Sequence, residues 1–228
     1  MVFKYIQNLK FQKGITLIEL IVVIFMIAVF SGIMIADFPK IQRQSALLRA
    51  TYSMAQDFRK AEDMGTSGVQ TLGADNCPVP VKGYGVYVDT TQPTTYLIYA
   101  DIAGVDGTSD KRYNSGVLCS QSSYYQASSN CGIRITIPVP KDCVVETISV
   151  NAENASLSLE KIIDVNADGS DGSHSYDDVS VNFNPPNPTT TITASGDTAL
   201  SAVKVFLKNT DGSSRKVLIN KSGLIDVQ

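Results

Sequence analysis

An uninterrupted apolar segment near the amino terminus constrains the fold of this chain more than any other feature. Residues 15–36 read ITLIELIVVIFMIAVFSGIMIA, and Glu19 is their only charged residue. A helix rises about 1.5 Å per residue, so this segment spans roughly 33 Å and matches the hydrocarbon core of a bilayer. The sequence therefore predicts a transmembrane helix over residues 15–36.

The residues before this segment set its predicted orientation and processing. Residues 1–14 contain Lys4, Lys10 and Lys13 and no acidic residue, so the positive-inside tendency places the amino terminus in the cytoplasm and the remainder outside. An ordinary secretory signal is cut after its apolar stretch, whereas the candidate site here, Gly14–Ile15, precedes it. Cleavage there leaves the helix on the mature protein. The alternative is a plain, uncut signal anchor.

Glu19 favours the first interpretation. An ionised side chain at the centre of a membrane helix costs about 2.5–3.5 kcal/mol and less near an end, which indicates a partner for the charge. Cleavage before Ile15 creates an amine four residues from Glu19, on the same or a neighbouring helix.

Residues 13–20, KGITLIEL, resemble the type III signal of type IV prepilins and pseudopilins. The resemblance implies that a prepilin peptidase removes a leader of residues 1–14 by cutting after Gly14. It implies that Ile15 is N-methylated, although the family usually has Phe at this position. It also implies that Glu19 assists docking into a filament of pilin or pseudopilin subunits, built on an inner-membrane assembly platform.

A second, amphipathic helical segment follows Asp37-Phe38-Pro39. Apolar residues recur at helical spacings over residues 40–64, and Gly65 resembles a helix stop. The sequence predicts one helix over residues 15–64, kinked near Pro39. The predicted apolar stripe consists of Ile41, Leu48, Tyr52, Ala55 and Phe58.

Beyond residue 68 the apolar pattern changes to alternation, which predicts a β-rich extracytoplasmic domain over residues 68–228. The expected fold class is α+β and pilin-like, with the long helix packed on an antiparallel sheet. Two surface loops are predicted, Asp164–Asp178 and Asn184–Pro188. The predicted strands are Tyr84–Asp89, Thr95–Tyr99, Ile133–Ile137, Val144–Asn151, Ser156–Ile162, Asp178–Phe183, Thr189–Ala194, Ala202–Lys208, Arg215–Ile219 and Leu224–Asp226.

Three local features resemble the minor pseudopilin H (GspH/FimT) type. They are Arg59–Glu62 at the predicted end of the helix, Gly83–Val86 at the first strand, and Ser214–Ile225 as a closing hairpin. Residues 105–180 show no such likeness. The bulky β domain favours a minor subunit, because a large domain is harder to repeat along a tightly packed shaft.

Four cysteines, Cys77, Cys119, Cys131 and Cys143, all follow the apolar segment. No C-x-x-C pair occurs, so the pattern favours two disulfides in an oxidising compartment. Three pairings are open, and the Cys119–Cys131 and Cys131–Cys143 spacings both suit loop-closing bridges. Four unpaired thiols are the alternative.

Two candidate binding sites remain. Asp164, Asn166 and Asp168, followed by Gly169, match the first half of an EF-hand-like calcium loop, but Ser175 stands at the twelfth position and a solvated turn explains the composition better. Asp101, Asp106 and Asp110 form a second acidic loop, which a turn explains equally well.

Basic residues near the carboxyl terminus, above all Arg215, Lys216 and Lys221, match nucleic-acid contacts in some FimT-type subunits. The solvent faces of amphipathic strands are the favoured alternative. A net charge of −3 opposes general nucleic-acid binding.

Enzyme chemistry has little support. His174 is the only histidine, and no nucleophile elbow, phosphate-binding loop or zinc-ligand spacing occurs. The sequence therefore predicts a non-catalytic, single-pass filament subunit of a type IV pilus or of a type II secretion pseudopilus. The alternative is a binding subunit of a type IV pilus, for DNA uptake or adhesion.

Overall fold

The computed structural model describes residues 14–69, 71, 81–102, 109–114, 116, 118–119, 142–152, 156–166, 168–185 and 189–228. The predicted strand Ile133–Ile137, the leader lysines, Cys77 and Cys131 lie outside these residues. The chain divides into two units, Met1–Gln42 and Arg43–Gln228. A long apolar helix is followed by antiparallel sheets, which confirms the predicted α+β class.

One helix, α1, runs from Leu17 to Ser67 and contains Pro39. Proline has no backbone N–H, so the helix lacks one hydrogen bond there. Gly68, at φ 61°, ends the helix, and the N–H of Val69 donates to the carbonyl of Met64 at 3.4 Å. This is the pattern of a Schellman cap. The prediction that Gly65 stops the helix is therefore wrong.

Gly65 instead allows α1 to approach a strand. A Cβ on Gly65 would lie 2.5 Å from the carbonyl oxygen of Phe183, a distance that no real Cβ contact reaches. The predicted apolar stripe is also partly wrong, because Ile41 and Tyr52 are exposed. The buried stripe consists of Leu47, Ala50, Thr51, Met54, Ala55, Phe58, Ala61 and Gly65.

Eleven strands are present in the described part of the chain. They are β1 Val81–Asp89, β2 Thr95–Ile102, β3 Cys143–Ser149, β4 Leu157–Val165, β5 Asp171–Tyr176, β6 Asp178–Asn184, β7 Thr189–Ala194, β8 Thr198–Leu200, β9 Ala202–Asn209, β10 Ser214–Asn220 and β11 Ile225–Val227. Short 3₁₀ helices, Val150–Ala152 and Ser195–Asp197, follow β3 and β7.

Two predictions about the strands are wrong. The predicted loop Asp164–Asp178 is largely strand, because β4 extends to Val165 and β5 occupies Asp171–Tyr176. β5 forms because its backbone adds an antiparallel edge to β4, although its DGSHSY sequence has few β-forming residues. The short strand β8 was also missed, and it pairs with β7.

The strands form two sheets that alternate along the chain. The first sheet has the order β3-β2-β1-β6-β7-β8, and the second has the order β11-β10-β9-β4-β5. Each sheet therefore combines early and late strands. The inner faces of both sheets and the buried stripe of α1 share one apolar cluster, in which Phe58, Val86, Phe183, Val205 and Ile219 are all fully buried.

Candidate functional site: the amino-terminal assembly segment

Residues 14–44 expose their apolar side chains. Every described side chain in this range is exposed, and the large apolar ones range from 44% exposure at Val22 to 78% at Leu17. A stretch of α1 is long and apolar enough to cross a membrane. Such a surface is stable only when lipid or other apolar helices cover it. We name residues 14–44 the assembly segment.

The first turn of α1 is capped by Thr16, and Glu19 takes part in this cap. The N–H of Glu19 donates to Thr16 Oγ1 at 3.3 Å, and the N–H of Leu20 donates to the Thr16 carbonyl at 3.2 Å. Thr16 and Glu19 have the spacing of a capping box, and a carboxylate in the first turn also interacts favourably with the helix dipole. Glu19 therefore has a local role that the sequence reasoning missed, although the T-x-x-E pattern shows it.

The predicted cleavage site lies just before this cap. Nothing lies within 4 Å of a Cβ built on Gly14, so packing within the chain does not require glycine there. Ile15 is 75% exposed. Gly14, Ile15 and Glu19 are thus close in sequence and all exposed at the start of the helix.

Two of the three features that carried the subfamily resemblance, Arg59–Glu62 and the closing hairpin, meet in the structure. β10 and β11 pair antiparallel, which confirms the predicted closing hairpin. Its second strand continues to Val227. Arg59 Nη2 donates to the carbonyl of Ile225 at 3.2 Å. A Cβ on Gly223 would lie 2.9 Å from Glu62 Oε1, and burial is the largest cause of the raised pKa of Glu62. Arg59 and Glu62 therefore connect α1 to the last hairpin.

One disulfide joins Cys119 and Cys143, whose Cα atoms lie 4.8 Å apart. This bond excludes both short-spaced pairings, Cys119–Cys131 and Cys131–Cys143. The disulfide is buried beside Tyr84, Ala100 and Ile102. The bond therefore joins Cys119 to the first residue of β3.

The residues of the predicted calcium loop form the turn between β4 and β5. Asp164 accepts hydrogen bonds from the backbone N–H of His174 at 3.1 Å. Asp168 accepts from the N–H of Ser170 at 2.9 Å, and the Asn166 amide donates to Ser170 Oγ at 3.0 Å. Among the described residues, no three His, Cys, Asp or Glu side chains are grouped for a metal. These contacts are those of a turn, and calcium binding there stays a prediction.

The neighbouring basic residues Arg215 and Lys216 lie on opposite faces of β10. Consecutive strand residues point to opposite faces, so Arg215 and Lys216 are separated. Lys216 Nζ lies 3.2 Å from Asp171 Oδ1. Lys204 is buried, and its Nζ lies 2.7 Å from the same oxygen. The Asp171 carboxylate therefore compensates part of the charge of Lys204 and Lys216, and nucleic-acid binding by Arg215, Lys216 and Lys221 stays a prediction.

A comparison with known proteins finds a match that overlaps the assembly segment. The family model of the prokaryotic N-terminal methylation motif matches residues 9–35. No curated protein and no solved structure matches the chain. The motif supports a type IV prepilin-like protein, and it implies processing by a peptidase and assembly with other pilin subunits. Such proteins are structural rather than enzymatic, and the apolar part of α1 fits a membrane-anchored pilin.

Proposed function

We propose that the chain is a prepilin-type subunit of a type IV pilus or of a type II secretion pseudopilus. It is cut after Gly14, methylated on Ile15 and assembled by helix packing. One observation carries the proposal: the methylation motif overlaps the amino-terminal part of α1, where every described apolar side chain is exposed. Lipid tails and the neighbouring helices of a filament are both apolar, so either of them can cover such a helix.

Assembly then exchanges one apolar environment for another. The leader lysines hold the amino terminus in the cytoplasm, and α1 stays in the membrane until it is extracted into the filament. Lipid is as apolar as the side chains, so apolar burial alone gives little preference for the filament. Charge pairing supplies that preference, because the Ile15 amine and Glu19 attract each other strongly in a low-dielectric core.

The carboxyl-terminal unit supports a minor subunit of the pseudopilin H kind. Arg59 and Glu62, the basic and acidic residues that the resemblance expects at the end of the helix, join α1 to the β10–β11 hairpin. Residues 43–228 carry two sheets. A domain of this size is easier to place at a filament tip than along a tightly packed shaft.

Peptide mass spectrometry tests the processing. Sheared surface filaments and membranes are digested, and peptides beginning at Ile15 are measured with and without one added methyl group. Methylated Ile15 in sheared filaments supports a pilus, and processed Ile15 in membranes alone supports a short pseudopilus or a scarce tip subunit. Intact residues 1–14 in both fractions contradict the proposal.

Two glycine variants make the test specific. Gly14→Val places a branched side chain next to the scissile bond, and we expect an uncut precursor to accumulate. Gly32→Ala is the matched control, because nothing lies within 4 Å of its Cβ either, and it should be cut normally. Equal cutting of both variants would show that Gly14 is not part of the cleavage site.

A further inference from the structure

The outer face of the first sheet contains a polar compartment above two glycines of β1. Gly83 pairs with Asp101 on β2, and Gly85 pairs with Tyr99. A Cβ on Gly83 would lie 2.6 Å from Asn182 Oδ1, and a Cβ on Gly85 would lie 2.6 Å from the Tyr99 ring. Only glycine leaves room for these side chains, so the sequence of β1 preserves the space that they occupy.

Three polar atoms in this compartment have no hydrogen-bond partner: the oxygens Asp101 Oδ1 and Asn182 Oδ1, and the amide nitrogen of Asn184. Asp101 and Asn182 are completely buried. Asp101 Oδ2 accepts from Asn182 Nδ2 at 2.9 Å and from the hydroxyl of Ser109. This leaves Asp101 Oδ1 and Asn182 Oδ1 buried and unpartnered. Both are acceptors, so neither can satisfy the other while Asp101 is ionised.

A second buried carboxylate adds to the negative charge. Asp142 is 3% exposed and accepts from the N–H groups of Asn114 at 2.8 Å and Ile102 at 3.2 Å. Burial raises the pKa of Asp101 to about 6 and that of Asp142 to about 7, and the Asp101 charge raises the pKa of Asp142 further. In the described part of the chain, neither carboxylate forms an ion pair with Lys or Arg.

The segment of residues 109–114 covers this compartment. The Tyr113 ring contacts the rings of Tyr87 and Tyr99, with centroids 4.7 Å and 5.3 Å away. The N–H of Tyr113 donates to Ser180 Oγ at 3.1 Å. Ser109 and Asn114 at its two ends donate to Asp101 and Asp142. The covering segment therefore depends on the same two carboxylates.

We propose that this compartment binds a hard cation, Ca²⁺, through Asp101 Oδ1 and Asn182 Oδ1. Carboxylate and amide oxygens are the protein ligands that Ca²⁺ prefers. A cation there satisfies both unpartnered acceptors and supplies the positive charge that the described residues lack. A lone water molecule is the rival occupant, because it can donate to acceptors but leaves the carboxylate charge uncompensated.

Terbium luminescence tests this site on the full chain in detergent, after treatment with EDTA. The chain has no tryptophan, so Tb³⁺ emission is excited through tyrosine, and Tyr99 lies beside Asn182 with its hydroxyl oxygen 3.3 Å from Nδ2. We expect saturable emission that Ca²⁺ displaces, together with a higher thermal unfolding midpoint in Ca²⁺. Absence of both effects in the wild-type protein overturns the proposal in favour of water.

Three variants locate the cation. Asp101→Asn should weaken Ca²⁺ binding at least about tenfold, equivalent to about 1.4 kcal/mol. Asp168→Asn, in the β4–β5 turn, is the control and should bind like the wild type. Asn182→Asp keeps the shape but replaces the amide that donates to Asp101 Oδ2 with a second carboxylate. Its thermal unfolding midpoint should therefore rise more on adding Ca²⁺ than that of the wild type. The reverse pattern, loss in Asp168→Asn alone, overturns the proposal.

Discussion

The two halves of α1 have the same conformation and opposite environments. From Leu17 to Gln44 every described side chain is exposed, whereas from Ser45 onward a continuous stripe is buried against the sheets. Phe30 is 68% exposed, while Phe58 is completely buried. The carboxyl-terminal half is therefore fitted to its own domain, and the amino-terminal half is fitted to lipid or to other helices.

The largest expected difference between the halves comes from removing a phenylalanine. Phe58→Ala should lower the free energy of unfolding by about 3–5 kcal/mol, because it leaves a cavity between α1 and the sheets. Phe30→Ala should leave this free energy within about 0.5 kcal/mol of the wild type and reduce filament incorporation instead. Urea denaturation of both variants measures the effect. Equal destabilisation by both would show that the assembly segment packs on its own domain.

Glycine-to-alanine changes compare the halves with a smaller perturbation. Gly65→Ala should destabilise the protein by about 1–3 kcal/mol, because its Cβ would meet the Phe183 carbonyl at 2.5 Å. Gly32→Ala meets nothing within 4 Å and should be neutral or stabilise α1 by up to about 1 kcal/mol, the propensity difference. The same denaturation experiment measures both, and a stable Gly65→Ala protein would place α1 further from β6.

The pH dependence of stability should come from the carboxyl-terminal unit. Asp101 and Asp142 have folded pKa values of about 6 and about 7, above the ordinary 3.8, and burial also raises the pKa of Asp57 on α1. The folded state therefore binds protons more tightly than the unfolded state. In EDTA, the free energy of unfolding should fall by roughly 4 kcal/mol as the pH rises from 5 to 8, because both carboxyls lose their protons in this window in the folded state and below it in the unfolded state.

Denaturation at several pH values checks this sign. Asp101→Asn removes one of the two main groups and should flatten the curve. Stability that rises with pH over this window would contradict the assigned burial of both carboxyls. Added Ca²⁺ should also flatten the curve, because a bound cation favours the ionised carboxylate.

Two carboxylates on α1 provide the smallest and most specific comparison. Glu19→Gln should keep membrane insertion and domain stability but reduce incorporation roughly tenfold, which corresponds to about 1.4 kcal/mol. Asp57→Asn is the control on the other half, where Tyr96 donates to Asp57 at 2.5 Å. It should change stability slightly and leave incorporation unchanged. Immunoblots of sheared filaments and membranes measure both, and normal incorporation of Glu19→Gln would exclude its docking role.

The sequence predicted the elements whose pattern is local. The long helix, nine of the strands and the closing hairpin follow from periodicity and turn residues, with boundaries shifted by a few residues. The cap formed by Thr16 and Glu19 could also be predicted from the sequence, because a T-x-x-E pattern at the start of an apolar run is typical of a capping box. Leu47, Ala50, Met54, Phe58 and Ala61 also recur at helical spacing, so their buried stripe was available in the sequence.

Long-range pairing decided the features that the sequence did not reveal. β5 is a strand because β4 offers it an edge, and Asp171 within it faces Lys204 and Lys216 from other strands. Gly65 looked like a stop signal because its neighbour in space, Phe183, is far away in the chain. The Cys119–Cys143 bond likewise depends on where β3 begins. Spacing alone cannot supply any of these partners.

The alternation of the two sheets along the chain has a kinetic consequence. β1 pairs with β6, and β4 pairs with β9. In each pair the first strand is synthesised well before the strand that it pairs with. Contacts between distant parts of a chain slow folding, because the intervening loop must close before the contact forms. The half-made domain therefore leaves open strand edges exposed, and a chaperone that shields those edges would raise the yield of assembled subunits.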